Sequence, residues 1–254
     1  MTASDDLLIE RQDDVLTLII NRPEKRNALS LALLDAIGGA LNAVADEPVK
    51  CVVLTGAGDK CFAAGGDLKE LDAIRSDAET RGMSERGHAA LDAVRYFPVP
   101  VIGAINGLAL GGGAELAMAC DIRIGAAHAD LGLIQSRLNV TTAWGGGIDL
   151  INAVGNSAAL ALLCSGRRLT AAEAQAYRLY DRVADGDADF AEFVATYVGE
   201  FTRTGLAVLR TYKATAAARR QQLQAELMET ARAGFIDAWT HTDHWDAAAK
   251  ALKK

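Results

Sequence analysis

No run of basic residues occurs in the chain, whose 26 Lys+Arg are outnumbered by 33 Asp+Glu for a net charge of -7. A nucleic-acid-binding surface is therefore not expected. A few local cations and amides still suffice to hold a small anion. Cysteine is scarce, with four in 254 residues. Cys51, Cys61, Cys120 and Cys164 form no C-x-x-C pair and have no histidine at zinc-like spacing. They read as buried free thiols of a reducing compartment. No stretch reaches the ~18 apolar residues that cross a bilayer. The opening Met-Thr-Ala-Ser-Asp-Asp is polar and acidic, the opposite of a signal or transit peptide. A cytoplasmic protein without membrane attachment is expected. Hydrophobic residues make up 50% and charged residues 23%, so the chain can bury a large core without disulfide or metal staples. Nothing in it calls for a metal or redox cofactor.

What is present is an alternation of strand and helix signals up to about residue 135. Residues 7–10 and 15–20 read as a β-hairpin. Ser30 is placed to cap a helix over 31–45, with Leu33, Leu34, Ile37, Leu41 and Val44 on one stripe. Residues 51–55 and 101–105 read as buried strands, 121–125 as another, and 131–133 as a sixth. Residues 68–83 read as a mobile or partly helical lid, 84–96 as a helix and 114–119 as a buried helix. Helices then take over at 145–154, 157–164, 170–178, 190–201, 205–233 and 235–252, with Gly234 punctuating the last two. Thr170 and Glu173 form a capping box. The pattern is α/β with a helical C-terminal part.

Two glycine-rich loops follow short buried strands. One contains Gly65-Gly66-Asp67; the other contains Gly111-Gly112-Gly113 and opens a helix. Small residues let a ligand approach the backbone. The first amides of a helix point outward with the helix dipole behind them. One amide from each loop would make an oxyanion hole; alternatively, the glycines serve only tight turns and close packing. Glu115 sits among Leu116, Ala117 and Met118, where a carboxylate is expensive to bury unless paired or used. Burial there raises its pKa toward an acid/base value; the alternative is a glutamate favoured by the helix dipole. Competing motifs fail. The later glycines of a nicotinamide-binding loop are replaced by Lys60 and Phe62, no G-x-S-x-G or phosphate-binding P-loop occurs, and no tyrosine precedes a lysine by four. His88, His128, His241 and His244 are scattered and read as surface or core residues.

The segments Asn21-Arg22-Pro23-Glu24-Lys25-Arg26-Asn27-Ala28-Leu29, Phe62-Ala63-Ala64-Gly65-Gly66-Asp67-Leu68-Lys69 and Ile105-Asn106-Gly107-Leu108-Ala109-Leu110-Gly111-Gly112-Gly113-Ala114-Glu115-Leu116 resemble the enoyl-CoA hydratase/isomerase (crotonase) family. Cys120-Asp121-Ile122-Arg123 and the segment from Gly166 to Ala174 match its later signatures. The resemblance implies a superhelix of repeated ββα turns with a helical C-terminal trimerisation region. It divides the chain into a core over 1–190 and a helical oligomerisation region over 191–254. It implies a homotrimer or dimer of trimers. The substrate it implies is an acyl-CoA, with coenzyme A part of the substrate rather than a cofactor. The oxyanion amides fall on Gly66 and Gly112. Backbone around Ala64, Gly66, Asp67 and Leu68 would hold the adenine and pantetheine parts, and Lys25 and Lys69 the phosphates.

A hydratase of this family uses two glutamates. One falls on Glu115; the other falls on Gln135. An amide orients water but neither takes nor gives a proton at neutral pH, and no acid lies between Asp130 and Asp149. The expected activity is an acyl-CoA lyase, nominally an enoyl-CoA hydratase with Glu115 as acid/base and Gln135 placing water. Thioester decarboxylation, double-bond isomerisation and a catalytically impaired acyl-CoA-binding paralogue are the alternatives. An aspartate used by the family's aryl-CoA dehalogenases would fall near Ala143, which argues against that chemistry.

Overall fold

The computed structural model describes residues 5–186 and 188–252. In chain order its elements are β1 (Leu7–Gln12), β2 (Val15–Ile20), α1 (Leu31–Ala43), β3 (Cys51–Gly56), β4 (Cys61–Ala63), α2 (Leu68–Leu71), α3 (Asp77–Arg95), β5 (Val101–Ile105), β6 (Leu108–Leu110) and α4 (Gly112–Ala119). There follow β7 (Ile122–Gly125), β8 (Leu131–Gly132), α5 (Gly146–Val154), α6 (Asn156–Ser165), α7 (Ala171–Ala176), β9 (Arg182–Val183), α8 (Phe190–Thr202), α9 (Leu206–Thr240) and α10 (Thr242–Leu252).

Two sheets form. The larger runs β1-β2-β3-β5-β7-β9 and the smaller β4-β6-β8. Among the strand pairs of the described residues, only the β1–β2 hairpin is antiparallel. Each pair β3/β4, β5/β6 and β7/β8 sends its first strand to the large sheet and its second to the small one. That is the repeated ββα turn expected from the sequence. Strand β5 and most of β3 are buried because both faces of the large sheet are covered. Leu18, Val52, Leu54 and Ile105 face the main core, while Val53, Ile102 and Ile124 pack under Tyr197 and Val198 of α8. Strand β2 alternates buried and half-buried residues, as a strand near the sheet's edge should.

Several expectations are corrected. The segment expected as a lid is helix α2 followed by the first turns of α3. Ser76 and Glu79 form a full capping box there, which starts α3 seven residues before the expected position. Helix α9 runs straight through Gly234 and breaks only at His241, whose backbone is extended. One glycine costs about 1 kcal/mol in a helix, and the burial of Met228 before it and of Phe235, Ile236 and Trp239 after it outweighs that. Cys164 is exposed on the outer face of α6, while Cys51, Cys61 and Cys120 are buried as expected. Strands β4, β6 and β9 have two or three residues each, too few for a periodic signal.

One polar cluster crosses the core. Asp149 of α5 is 3% exposed and accepts from Arg95 of α3 and from Arg220 and Gln224 of α9. Burial acts to raise its carboxyl pKa, but the Arg95 and Arg220 charges outweigh it and hold it below the usual value. Asp149→Asn should therefore remove the buried carboxylate shared by two guanidinium groups, leaving Arg95 to Asp92 and Arg220 to Asp121 alone, and cost about 3 kcal/mol at neutral pH. Because the native pKa is depressed, Asp149 contributes this stability above about pH 4, the ordinary aspartate value. The contribution is lost as pH falls through the lower native pKa. Urea unfolding of both proteins at pH 7 and at progressively lower pH checks this; a gap of constant size at all pH values would contradict it.

Candidate active site

The motif segments converge on one place. Asn27 has φ 55°, a left-handed conformation that asparagine tolerates. Its side chain donates to the Ala57 and Cys61 carbonyls and accepts from the Arg22 amide. Arg22 in turn pairs with Asp67 at 3.0 Å and donates to the Ala28 carbonyl. Asn106 clamps Gly56 and Gly58 in the same way. These buried polar side chains hold the two glycine loops against each other.

Gly66 and Gly112 lie side by side. A Cβ built on Gly112 would sit 3.2 Å from the Gly66 nitrogen. Neither nitrogen donates to a backbone or side-chain acceptor among the described residues. Gly112 is the first residue of α4, so its N–H is one of the helix's free donors. The result is a pair of free amides at the edge of a cavity of about 120 Å³.

Glu115, in the first turn of α4, lines that cavity and is 1% exposed. Its carboxylate meets four donors. Oε1 accepts from Gln135 Nε2 at 3.0 Å and from the Ala143 amide at 3.1 Å. Oε2 accepts from the Trp144 amide at 2.8 Å and the Gly146 amide at 3.0 Å. Gly146 opens α5, and a Cβ there would fall 2.5 Å from Glu115 Cγ, so this close approach requires glycine. Burial pushes the Glu115 pKa above the ordinary carboxylate value, with the three amides and Arg95 opposing. The Asp149 cluster fixes the donor loop from beneath, since Arg95 donates to the Trp144 carbonyl and Gln224 to the Gly145 carbonyl.

Of the residues expected from the sequence, Ala64, Gly66, Leu68, Gly112, Glu115 and Gln135 line the cavity together. Asp67 does not. Its carboxylate is engaged by Arg22 and its amide donates to the Leu29 carbonyl. Lys25 and Lys69 are exposed and outside the cavity. Three features escaped the sequence reading. Asp149 is an acid inside the apolar helix α5, the same signal that picked out Glu115. Trp144 lies with its ring against Gly112 on one side and Gly87 of α3 on the other. His244 of α10, expected as a surface or core residue, is fully buried and lines the cavity with Phe235 and Trp239 of α9.

Comparison with known proteins identifies the family and the fold. The family model described as enoyl-CoA hydratase/isomerase matches residues 10–252. A crotonyl-CoA hydratase from Syntrophomonas wolfei is 35% identical over 215 residues, covering 84% of this chain and 82% of that one. The mitochondrial methylglutaconyl-CoA hydratase of Mus musculus is 36% identical over 211 residues, covering 81% and 67%. The crystal structure of an enoyl-CoA hydratase from Bacillus anthracis superposes with a TM-score of 0.79 at 32% identity, covering 98% of this chain and 96% of that one.

Proposed function

Since the chain belongs to the enoyl-CoA hydratase/isomerase family, we propose that it adds water across the double bond of a short 2-enoyl-CoA. The observation that carries this reading is the placement of two free amides, Gly66 and Gly112, on the same small cavity as the Glu115 carboxylate. The thioester carbonyl accepts from both amides, which draws electron density from C3. Glu115 takes a proton from water as the water oxygen bonds to C3. The π electrons move onto the thioester oxygen as an enolate, which the two amides stabilise; each is worth roughly 3–4 kcal/mol. Glu115 then gives the proton to C2, and the enolate collapses to the 3-hydroxyacyl thioester.

Gln135 controls access to the base. Of the four donors on Glu115 it alone is a side chain, so it alone can turn aside and yield an Oε1 lone pair to water. Its own Oε1 is buried without a partner among the described residues and is free to accept the second water hydrogen. A cavity of about 120 Å³, near the ~150 Å³ that holds one benzene-sized group, supports a short acyl group. Double-bond isomerisation is the second reading. It is favoured by Glu115 being the one carboxylate among the described residues that line the cavity.

The test is loss of the enoyl-thioester absorbance when the protein is mixed with crotonyl-CoA. Rapid loss is expected. No loss, with crotonyl-CoA binding demonstrated in the same sample, would overturn hydration of a short enoyl chain.

A further inference from the structure

The indole of Trp144 runs from the Glu115 carboxylate to the pair of free amides. Its own backbone amide donates to Glu115 Oε2 at 2.8 Å. The far edge of its six-membered ring reaches the two glycines. A Cβ built on Gly112 would fall 2.5 Å from Cζ3 and 2.9 Å from Cη2, and one built on Gly66 would fall 3.8 Å from Cη2. Trp144, Gly66, Gly112 and Glu115 all line the same cavity.

The ring is held from behind. A Cβ on Gly87 of α3 would overlap Trp144 Nε1 and Cδ1, so the ring already fills the space that a side chain there would take. The backbone that carries the ring is tied to the same helix. Ser84 donates to the Ala143 carbonyl at 2.7 Å, and Arg95 donates to the Trp144 carbonyl at 2.6 Å. Both donors are buried. A ring seated between two glycines in a close-packed interior has little room to retreat. It is a fixed wall of the cavity.

The chemistry places the acyl atoms against that wall. The thioester oxygen accepts from the Gly66 and Gly112 amides, so C1 lies beside them. Glu115 gives its proton to C2, so C2 lies between the amide pair and the carboxylate. Those are the two landmarks that the indole joins. C3 lies farther on, toward the Gln135 side of Glu115 where water enters. C2 is thus the acyl carbon that passes alongside the ring. A hydrogen on C2 fits there; a methyl group needs the space that the ring holds.

Resting on the hydratase reading above, we propose that Trp144 makes the protein selective for acyl groups unbranched at C2. Straight 2-enoyl thioesters are accepted and 2-methyl-2-enoyl thioesters are rejected. The indole is a specificity determinant for the carbon next to the thioester, while the Trp144 amide serves the carboxylate.

The experiment first reads binding apart from turnover. Butyryl-CoA and isobutyryl-CoA are saturated isomers that cannot be hydrated, and they place the same number of acyl carbons in the cavity. Only the second is branched at C2. By calorimetry the wild-type protein should prefer the straight isomer about thirtyfold, within the roughly 10–200-fold that one methylene is worth in an apolar pocket. Trp144→Ala keeps the backbone amide and should bring the two affinities within about threefold, mainly by gaining isobutyryl-CoA. Trp144→Phe, which keeps an aromatic ring between the glycines, is the second variant should the alanine protein not fold; its preference should be intermediate. Valeryl-CoA against isovaleryl-CoA, branched at C3, is the control, and its ratio should not respond to either substitution. Turnover follows: Trp144→Ala should narrow the kcat/KM ratio of crotonyl-CoA to 2-methylcrotonyl-CoA at least about tenfold. A wild-type preference below about threefold for the straight isomer overturns the proposal. So does a preference that is unchanged in the folded variants, or one that changes equally for the C3-branched pair, which is what a general loosening of the site would give. If the C2 preference is present and depends on Trp144 but crotonyl-CoA is not hydrated, the hydratase reading falls and the wall beside C2 stands.

Discussion

Glu115→Gln should lower kcat for crotonyl-CoA about 10³- to 10⁴-fold and leave KM nearly unchanged. Positioned general acid–base groups contribute roughly 10²–10⁴, and here one carboxylate both takes the water proton and delivers it to C2. The thioester itself is held by the Gly66 and Gly112 amides, which the substitution does not touch. The variant also tests the four-donor arrangement. Every atom pointing at this carboxylate is an N–H. A glutamine must turn its own NH₂ toward either the Gln135 and Ala143 donors or the Trp144 and Gly146 donors. Buried donors left facing a donor cost about 1–3 kcal/mol, so the melting temperature should fall as well. A thermal melt beside the kinetics separates the two effects, since a folded variant with lost kcat isolates the chemistry. The pH profile adds a further check. Water activation needs the ionised carboxylate, so kcat/KM of the native enzyme should rise with pH through a native pKa that burial sets above the ordinary glutamate value. That acidic limb should be absent from the residual activity of the glutamine variant. Turnover within tenfold of wild type in a folded Glu115→Gln protein would remove the proton-transfer role.

The difference between Glu115 and Asp149 shows what sequence reading reaches and where it stops. Both are acids set in apolar helical stretches, and both are buried. The sequence alone cannot distinguish the one that faces a cavity from the one that faces two arginines. Arg95 lies 54 residues before Asp149 in the chain and Arg220 lies 71 residues after it. Their convergence is a product of α3, α5 and α9 packing together, which no local pattern encodes. The glycine loops were legible because turn chemistry and helix starts are local. The same holds for the Ser30 and Thr170 caps, whose partners lie three residues away. The capping box at Ser76 was equally local, but the run of charged residues around it drew attention to solvent rather than to the helix start. Where the side chains of Lys25, Asp67 and Lys69 point was not legible, because the direction of a side chain depends on its neighbours. Arg22 claims the Asp67 carboxylate, and the two lysines lie exposed outside the cavity. His244 was the hardest to place. A lone histidine has no signal of its own, and its place at the cavity comes from the break at His241, which sets α10 against Leu138.

Gly112→Ala should lower kcat/KM for crotonyl-CoA by about 10³-fold, while Gly66→Ala should cost less than about tenfold. Both residues are assigned the same task, donating an N–H to the thioester oxygen, and both variants keep that N–H. The difference lies in what a methyl group meets. At Gly66 the new Cβ falls 2.9 Å from Leu71 Cδ1, the far end of a flexible side chain that can rotate away. At Gly112 it falls 2.5 Å from Trp144 Cζ3 and 2.9 Å from Cη2. The indole cannot retreat, because a Cβ on Gly87 behind it would lie only 2.2 Å from Trp144 Nε1, which leaves no room on that side. The strain must move either α4, which carries Glu115, or the loop around Trp144, whose amide is one of the Glu115 donors. Either displacement separates the base from the oxyanion amides, and a shift of about 1 Å in such a site is worth roughly 10²-fold. Loss of one well-aimed oxyanion donor is worth roughly 10²–10³ alone. Relieving the ring should reverse the defect, so Trp144→Phe added to Gly112→Ala should restore part of the lost kcat/KM. Equal losses at Gly66 and Gly112, or no recovery in the double variant, would show that the Trp144 ring does not set the geometry of this amide pair.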